Sequence, residues 1–101
     1  MCMLDRVREK REEIYAIARR NHAEKVWLFG SCARREDRPE SDVDFLVSFN
    51  PDMKFGDPLH LSDALEALFN RKVDVVSDRG LSPYIGQFIM KERVVIASGE
   101  D

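Results

Sequence analysis

Apolar and polar positions along this chain follow two different periods, and each change of period marks an element. Leu4, Val7, Ile14, Ile17 and Ala18 fall on one face of a helix running from Leu4 to about Asn21, with Asn21-His22 as its stop. Lys25-Val26-Trp27-Leu28-Phe29 is a short run of strand formers ended by Gly30, and its continuity predicts a strand buried on both faces. Ser31 is placed to cap a short helix through Ala33, Arg34 and Arg35, followed by a polar connector from Asp37 to Ser41. Asp42 to Phe49 alternates, with Val43, Phe45 and Val47 on one face and Asp42, Asp44, Leu46 and Ser48 on the other. Residues 50–57 form a turn-rich loop. Asp57-Pro58 then predicts an N-cap and first-turn proline for a helix whose stripe is Leu61, Ala64, Leu65, Leu68 and Phe69, closed by Asn70-Arg71-Lys72. Val73-Asp74-Val75-Val76 is a third strand. Ser82-Pro83 opens a last helix through Tyr84, Ile85, Phe88 and Ile89, and Val94-Val95-Ile96 predicts a short terminal strand.

Helix, strand, short helix, strand, helix, strand, helix is an α/β order, in which a small, mixed sheet is covered by helices; the strand order stays open at this level. The 101 residues suit one domain spanning 1–101. The charge changes the picture by exclusion. A net charge of −3 and a pI near 5.4 argue against a surface that holds nucleic acid through basic charge, so no direct nucleic-acid binding is expected. The densest charge run, Arg6 to Glu13, is a solvated helix face with i,i+4 pairs. Cys2 and Cys32 are too few for a disulfide framework and lack the spacing of a zinc site. No signal peptide or membrane-length apolar run occurs, which predicts no membrane association and a cytoplasmic location.

Candidate chemistry concentrates between Phe29 and Val47. Asp42 and Asp44 stand two residues apart at the start of a strand, where side chains share a face and Cα atoms lie roughly 6.5–7 Å apart. Such a pair can reach one magnesium ion, or two ions roughly 3.5–4 Å apart. A bare Asp-x-Asp is equally an acidic edge of a half-exposed strand. Asp74 alters the balance: if its strand lies beside that of Asp44, three carboxylates meet. Gly30 lets backbone approach a ligand closely, and the Ser31 hydroxyl with the following N–H groups can donate to phosphate oxygens. Arg34 or Arg35 can add charge-assisted contacts. Taken singly, each of these is an ordinary turn or surface residue. The apolar run Phe45-Leu46-Val47 follows the acids, whereas an Asp-x-Asp phosphatase places its nucleophile after the strand.

Gly30-Ser31, Arg34, Ser41-Asp42-Val43-Asp44 with Leu46-Val47, and Asp74 together resemble the G-S-x-A-R … S-D-x-D-h-h-V … h-D-h pattern of the minimal nucleotidyltransferases, a branch of the DNA polymerase beta superfamily. Val26 to Val76 carries the resemblance. Arg35 departs from it, standing where many members have glycine, and Cys32 occupies a position that is often aromatic or basic. The resemblance implies a polymerase beta-like nucleotidyltransferase fold and attack of an acceptor hydroxyl on the α-phosphate of ATP with release of pyrophosphate. It implies Asp42, Asp44 and Asp74 as catalytic residues holding Mg2+, with two ions expected, and Gly30, Ser31, Arg34 and Ser41 as nucleotide-binding. Small stand-alone members are commonly antitoxins of HEPN/MNT toxin–antitoxin modules, which add AMP to a tyrosine of a partner HEPN ribonuclease. A chain with no second domain to hold an acceptor suits that role. The alternatives are an antitoxin that neutralises by contact alone and a small-molecule nucleotidyltransferase of the antibiotic-modifying kind.

Overall fold

The computed structural model describes residues 2–98. Four strands, β1 (Ala23–Phe29), β2 (Val43–Phe49), β3 (Val73–Ser77) and β4 (Val94–Ser98), form one mixed sheet in the order β3-β2-β1-β4. β1 runs antiparallel to β2 and β4, while β2 and β3 are parallel. The helices are α1 (Met3–Glu9), α2 (Arg11–Arg20), α3 (Gly30–Ala33), α4 (Asp57–Phe69) and α5 (Pro83–Glu92). The parallel β2–β3 pair needs a crossover, and α4 supplies it. The α/β class and the mixed sheet are as the periodicity predicts.

One face of the sheet carries the core. Val26 and Leu28 of β1, Val43, Phe45, Val47 and Phe49 of β2, and Val73 of β3 pack with Met3, Leu4 and Val7 of α1, Ile14, Ile17 and Ala18 of α2, and Leu61, Leu65 and Phe69 of α4. Phe45 stacks on Phe69 with ring centroids 6.4 Å apart. The α4 stripe is the predicted one, with Ala64 and Leu68 partly buried at its margin.

Several boundaries differ from expectation, each for a local reason. The first helix is two, broken at Lys10 (φ −101°, ψ 16°). Residues 8–13 are all exposed and charged, so no side chain there holds the turn against the core, and each half buries its own apolar stripe. β1 is not buried on both faces: Val26 and Leu28 are fully buried, but Trp27 and Phe29 are only half-buried. Ser31 does not cap α3; it lies inside that helix, and Phe29 takes the cap position without a side-chain bond. Asp57 is the first residue of α4 rather than its cap. Its Oδ2 instead accepts from the Lys54 N–H at 2.7 Å and meets His22 Nδ1 at 2.8 Å. These contacts, the Lys54 bond foremost, hold the Asp57 carboxyl below its ordinary range and tie the α2–β1 corner to the start of α4. Ser82 does cap α5, accepting from the Ile85 N–H at 3.2 Å. Yet Tyr84, Ile85 and Phe88 of that helix are exposed, and only Ile89 is buried. Among the described residues no helix is long and apolar enough to cross a membrane.

Candidate active site

The face of the sheet opposite the core is where the singled-out residues converge. Alternation along β2 sends Asp44, Leu46 and Ser48 to that face while Val43, Phe45, Val47 and Phe49 enter the core. Leu46 is nonetheless fully buried, so the face is apolar at its centre and polar at one end. Asp44 is the register partner of Phe29 on β1 and of Asp74 on β3. Partners in register share a face, so Asp44 and Asp74 stand side by side at the end of β1 where the chain turns into Gly30.

The turn closes over Asp44. Gly30 has φ +77°, a left-handed conformation that glycine adopts without strain, and a Cβ there would fall 2.5 Å from Asp44 Oδ2. Any side chain at position 30 would therefore strike the carboxylate. Burial, the Asp74 and Asp42 charges, a hydrogen bond with Asp74 and the charge of Glu92 push the Asp44 carboxyl up to about 6. So many negative groups around one half-buried carboxyl fit a cation, and hard oxygen donors of this kind suit magnesium.

Asp42 sits less regularly. It precedes the first residue of β2, so strand alternation does not direct its side chain, and its Oδ2 lies 3.8 Å from Lys72 Nζ. Among the described residues no three His, Cys, Asp or Glu side chains gather as a ready-made metal cage. The arrangement is a close pair, Asp44 and Asp74, with Asp42 adding its charge from the strand entry. Asp74 is exposed and Asp44 half-buried, which leaves Asp74 accessible to an incoming molecule.

The turn residues divide. Ser31 lies in α3 beside Gly30 and directly after the end of β1. The Arg34 guanidinium is engaged by Glu36 Oε2 at 3.1 Å and by Glu92 Oε2 at 2.7 Å. Ser41 serves its own connector: its hydroxyl accepts from the Arg38 N–H at 2.9 Å, and its carbonyl accepts from the Arg71 guanidinium. Arg35 points the other way, toward α1, bonding Cys2 Sγ and Asp5. Cys32 is fully buried in the core, and burial pushes its thiol up to about 11.

Three residues at the site carry no sequence signal. Arg71 and Lys72 only close a helix in the sequence and Glu92 draws no reading there, yet Glu92 reaches the Gly30 turn, Arg71 pins the connector before Asp42, and Lys72 pairs with Asp42. Only the fold brings them there.

Known proteins share this fold and sequence family. The family described as "Polymerase beta, Nucleotidyltransferase" matches residues 12–101. A Methanocaldococcus jannaschii protein, MJ0435, assigned as a protein adenylyltransferase, is 30% identical over 88 residues, covering 87% of this chain and 95% of that one. Protein adenylyltransferase MntA of Thermococcus cleftensis is 33% identical over 72 residues, covering 71% and 73%. A solved structure assigned as a minimal nucleotidyltransferase superposes with a TM-score of 0.81 at 38% identity over 93% of this chain and 95% of its own. Two more distant structures share the fold. One is a toxin–antitoxin with AMP-PNP (TM-score 0.74, 21% identity, 87% and 73% covered). The other is the tri-AMPylated Shewanella oneidensis HEPN toxin in complex with MNT antitoxin (TM-score 0.68, 19% identity, 93% and 74% covered). With the family match running from residue 12 in α2 to residue 101, this protein belongs to the polymerase beta nucleotidyltransferase family.

Proposed function

We propose that this protein is a magnesium-dependent adenylyltransferase that moves AMP from ATP to a tyrosine hydroxyl of a partner HEPN ribonuclease, as the antitoxin of a HEPN/MNT pair in the cytoplasm. The observation that carries the reading is the Asp44 carboxylate, held beneath Gly30 and beside Asp74. It joins a glycine turn to an acidic pair in one place. The curated relatives are named protein adenylyltransferases, and one fold neighbour pairs an MNT antitoxin with an AMPylated HEPN toxin. The α5 helix packs on α3 and carries the exposed apolar residues Tyr84, Ile85 and Phe88, which suit a protein acceptor.

In this reading the Ser31 hydroxyl and the Gly30 turn receive the β- and γ-phosphates, with the Arg34 charge beside them. Ser41 shapes the connector that presents Asp42. Asp42, Asp44 and Asp74 would hold up to two magnesium ions, which when bound would supply charge neutralisation for the triphosphate and a lowered pKa for the acceptor hydroxyl. The exposed Asp74 stands where the acceptor hydroxyl enters and helps remove its proton. The acceptor oxygen bonds to the α-phosphorus, the bond to the bridging oxygen breaks, and pyrophosphate leaves. One nucleotidyltransferase domain, assigned to residues 1–101 in this reading, supplies the nucleotide side of the reaction and the partner supplies the acceptor. Catalysis comes from positioning and charge neutralisation.

The test is transfer itself. Incubated with ATP, magnesium and its HEPN partner, the protein is expected to raise the partner's mass by one or more AMP units. Asp44→Asn is expected to slow transfer by about a hundred- to a thousandfold, the scale seen when charge-stabilising groups are removed from an active site. Transfer that persists in an Asp42→Asn/Asp44→Asn double variant would sink the proposal. Neutralisation of the toxin without transfer, unaffected by that double variant, would favour an antitoxin acting by contact alone.

A further inference from the structure

The turn that covers Asp44 is made of few residues, and its shape is held from elsewhere. α3 has four residues, too short to stabilise itself through its own hydrogen bonds. One carboxylate spans it. Glu92 Oε1 accepts from the Gly30 N–H at 3.0 Å, and Glu92 Oε2 accepts from Arg34 Nη1 at 2.7 Å. Gly30 opens α3 and Arg34 follows its last residue, so the two oxygens clip both ends of the same turn from 62 positions down the chain. The clip is itself anchored. Glu92 ends α5, and the next residue, Arg93, places its guanidinium 4.8 Å over the Trp27 ring of β1 while its N–H bonds the Ile89 carbonyl. The Glu92 side chain is only 25% exposed, against 46% for Arg34.

This placement is electrostatically expensive. Glu92 adds a negative charge near Asp44, which already has Asp74 and Asp42 beside it. A carboxylate there opposes a triphosphate unless its charge is cancelled, and Arg34 cancels it through a charge-assisted bond. The Arg34 guanidinium is further engaged by Glu36. Its Nε and Nη1 donors are directed to protein carboxylates, so that part of its charge serves the turn before it serves a ligand.

We propose that Glu92 is a positioning residue for the nucleotide: with Arg34 as its counter-ion, it holds Gly30 and Ser31 in the conformation that receives the β- and γ-phosphates. Arg34 thus acts through Glu92 and is not a direct phosphate ligand. The inference rests on the adenylyltransferase reading and refines it. It also links the phosphate turn to α5, whose exposed Tyr84, Ile85 and Phe88 lie on the same helix.

The test is a double-mutant cycle of Glu92→Gln and Arg34→Gln. The probes are a non-hydrolysable ATP analogue with magnesium and inorganic tripolyphosphate, bound to the full chain and followed by calorimetry, with Tm recorded for each variant. At position 92 glutamine keeps the length and one acceptor while removing the charge, and at position 34 it removes the guanidinium. Each single variant is expected to weaken both probes by about tenfold, the loss of one charge-assisted bond, at little change in Tm. The double variant is expected to bind no worse than either single one, because both changes break one unit. In transfer assays KM for ATP rises more than kcat falls.

Additive losses would make Arg34 a direct ligand and overturn the proposal. So would Glu92→Gln binding as tightly as wild type or tighter, which would mark the carboxylate as a mere competitor for the turn. Unfolding of Glu92→Gln while Arg34→Gln stays folded would mark a residue needed only for the fold, and overturns it too. Wild-type protein that binds neither probe would instead sink the adenylyltransferase reading itself.

Discussion

The two faces of this sheet are made from the same strands and obey opposite rules. On the core face, β2 contributes Val43, Phe45, Val47 and Phe49, all buried against three helices. On the other, the same strand contributes Asp44, Leu46 and Ser48, and β3 sets Asp74 in register with Asp44. The first face is apolar throughout and stabilises the fold. The second gathers like charges under a left-handed glycine, an arrangement that a folded chain would avoid if stability were all that mattered. The contrast teaches that β2 is a lever: its buried side fixes, to within a side chain's reach, where the acidic side meets the turn.

The sharpest way to break the contrast is to damage the core face alone. Phe45 is fully buried and stacked on Phe69. Phe45→Ala is expected to lose about 3–5 kcal/mol, a large part of a small domain's stability, and to lower Tm by at least about 12 °C. Urea unfolding checks this, and a loss under about 1 kcal/mol would mean that the core face is not the stabilising one. The opposite sign is expected on the site face. In the unfolded chain Asp44 titrates near 3.8, and in the folded protein at about 6. The folded state therefore holds its proton more tightly, and ionisation destabilises it increasingly as pH rises from about 4 to 6. Asp44→Asn removes that penalty. Without magnesium the variant should be more stable than wild type at pH 7.5 by about 1 kcal/mol, allowing for solvent screening of a half-exposed group. The gap should close below about pH 4. Magnesium should raise the wild-type Tm and leave the variant's nearly unchanged. A variant less stable than wild type at pH 7.5 would show that the site face stabilises the fold after all.

The two faces also differed in how far they could be read from residues alone. The core face writes itself in periodicity: Leu61, Leu65 and Phe69 recur at helical spacing, and Val43, Phe45 and Val47 at strand spacing. The site face was legible only where local order suffices. Asp44 follows from alternation, and Gly30-Ser31 from the end of an apolar run. Asp74 required the strand order, which local signals do not contain, and the parallel register supplies it. Glu92 was illegible, because its partners Gly30 and Arg34 lie at sequence distances of 62 and 58 residues. The α5 helix was misleading in the other direction. Tyr84, Ile85 and Phe88 have the spacing of a buried stripe, yet they face solvent, since hydrophobic spacing says nothing of what covers it. The break at Lys10 belongs to the same class: a six-residue charged run is silent about whether a helix passes through it straight.

The smallest expected effect concerns the join between the two faces. Arg35 follows the Gly30-Ser31 turn and is the position where the chain departs from the nucleotidyltransferase pattern it resembles. Its φ is +60°, a left-handed conformation that strains a residue bearing a Cβ. Its side chain compensates by reaching Asp5 and Cys2 on the α1 side, away from Asp44 and Glu92. Arg35→Gly should therefore relieve the backbone while losing an exposed ion pair, which is worth little in water. The two changes nearly cancel, so Tm should stay within about 2 °C of wild type or rise slightly. Affinity for the ATP analogue should not change, because the side chain does not face the phosphate turn. A Tm fall of more than about 4 °C would mean that the link from the turn to α1 is a real brace. The arginine would then be a substitute for glycine's freedom, holding by contact a conformation that glycine holds without one.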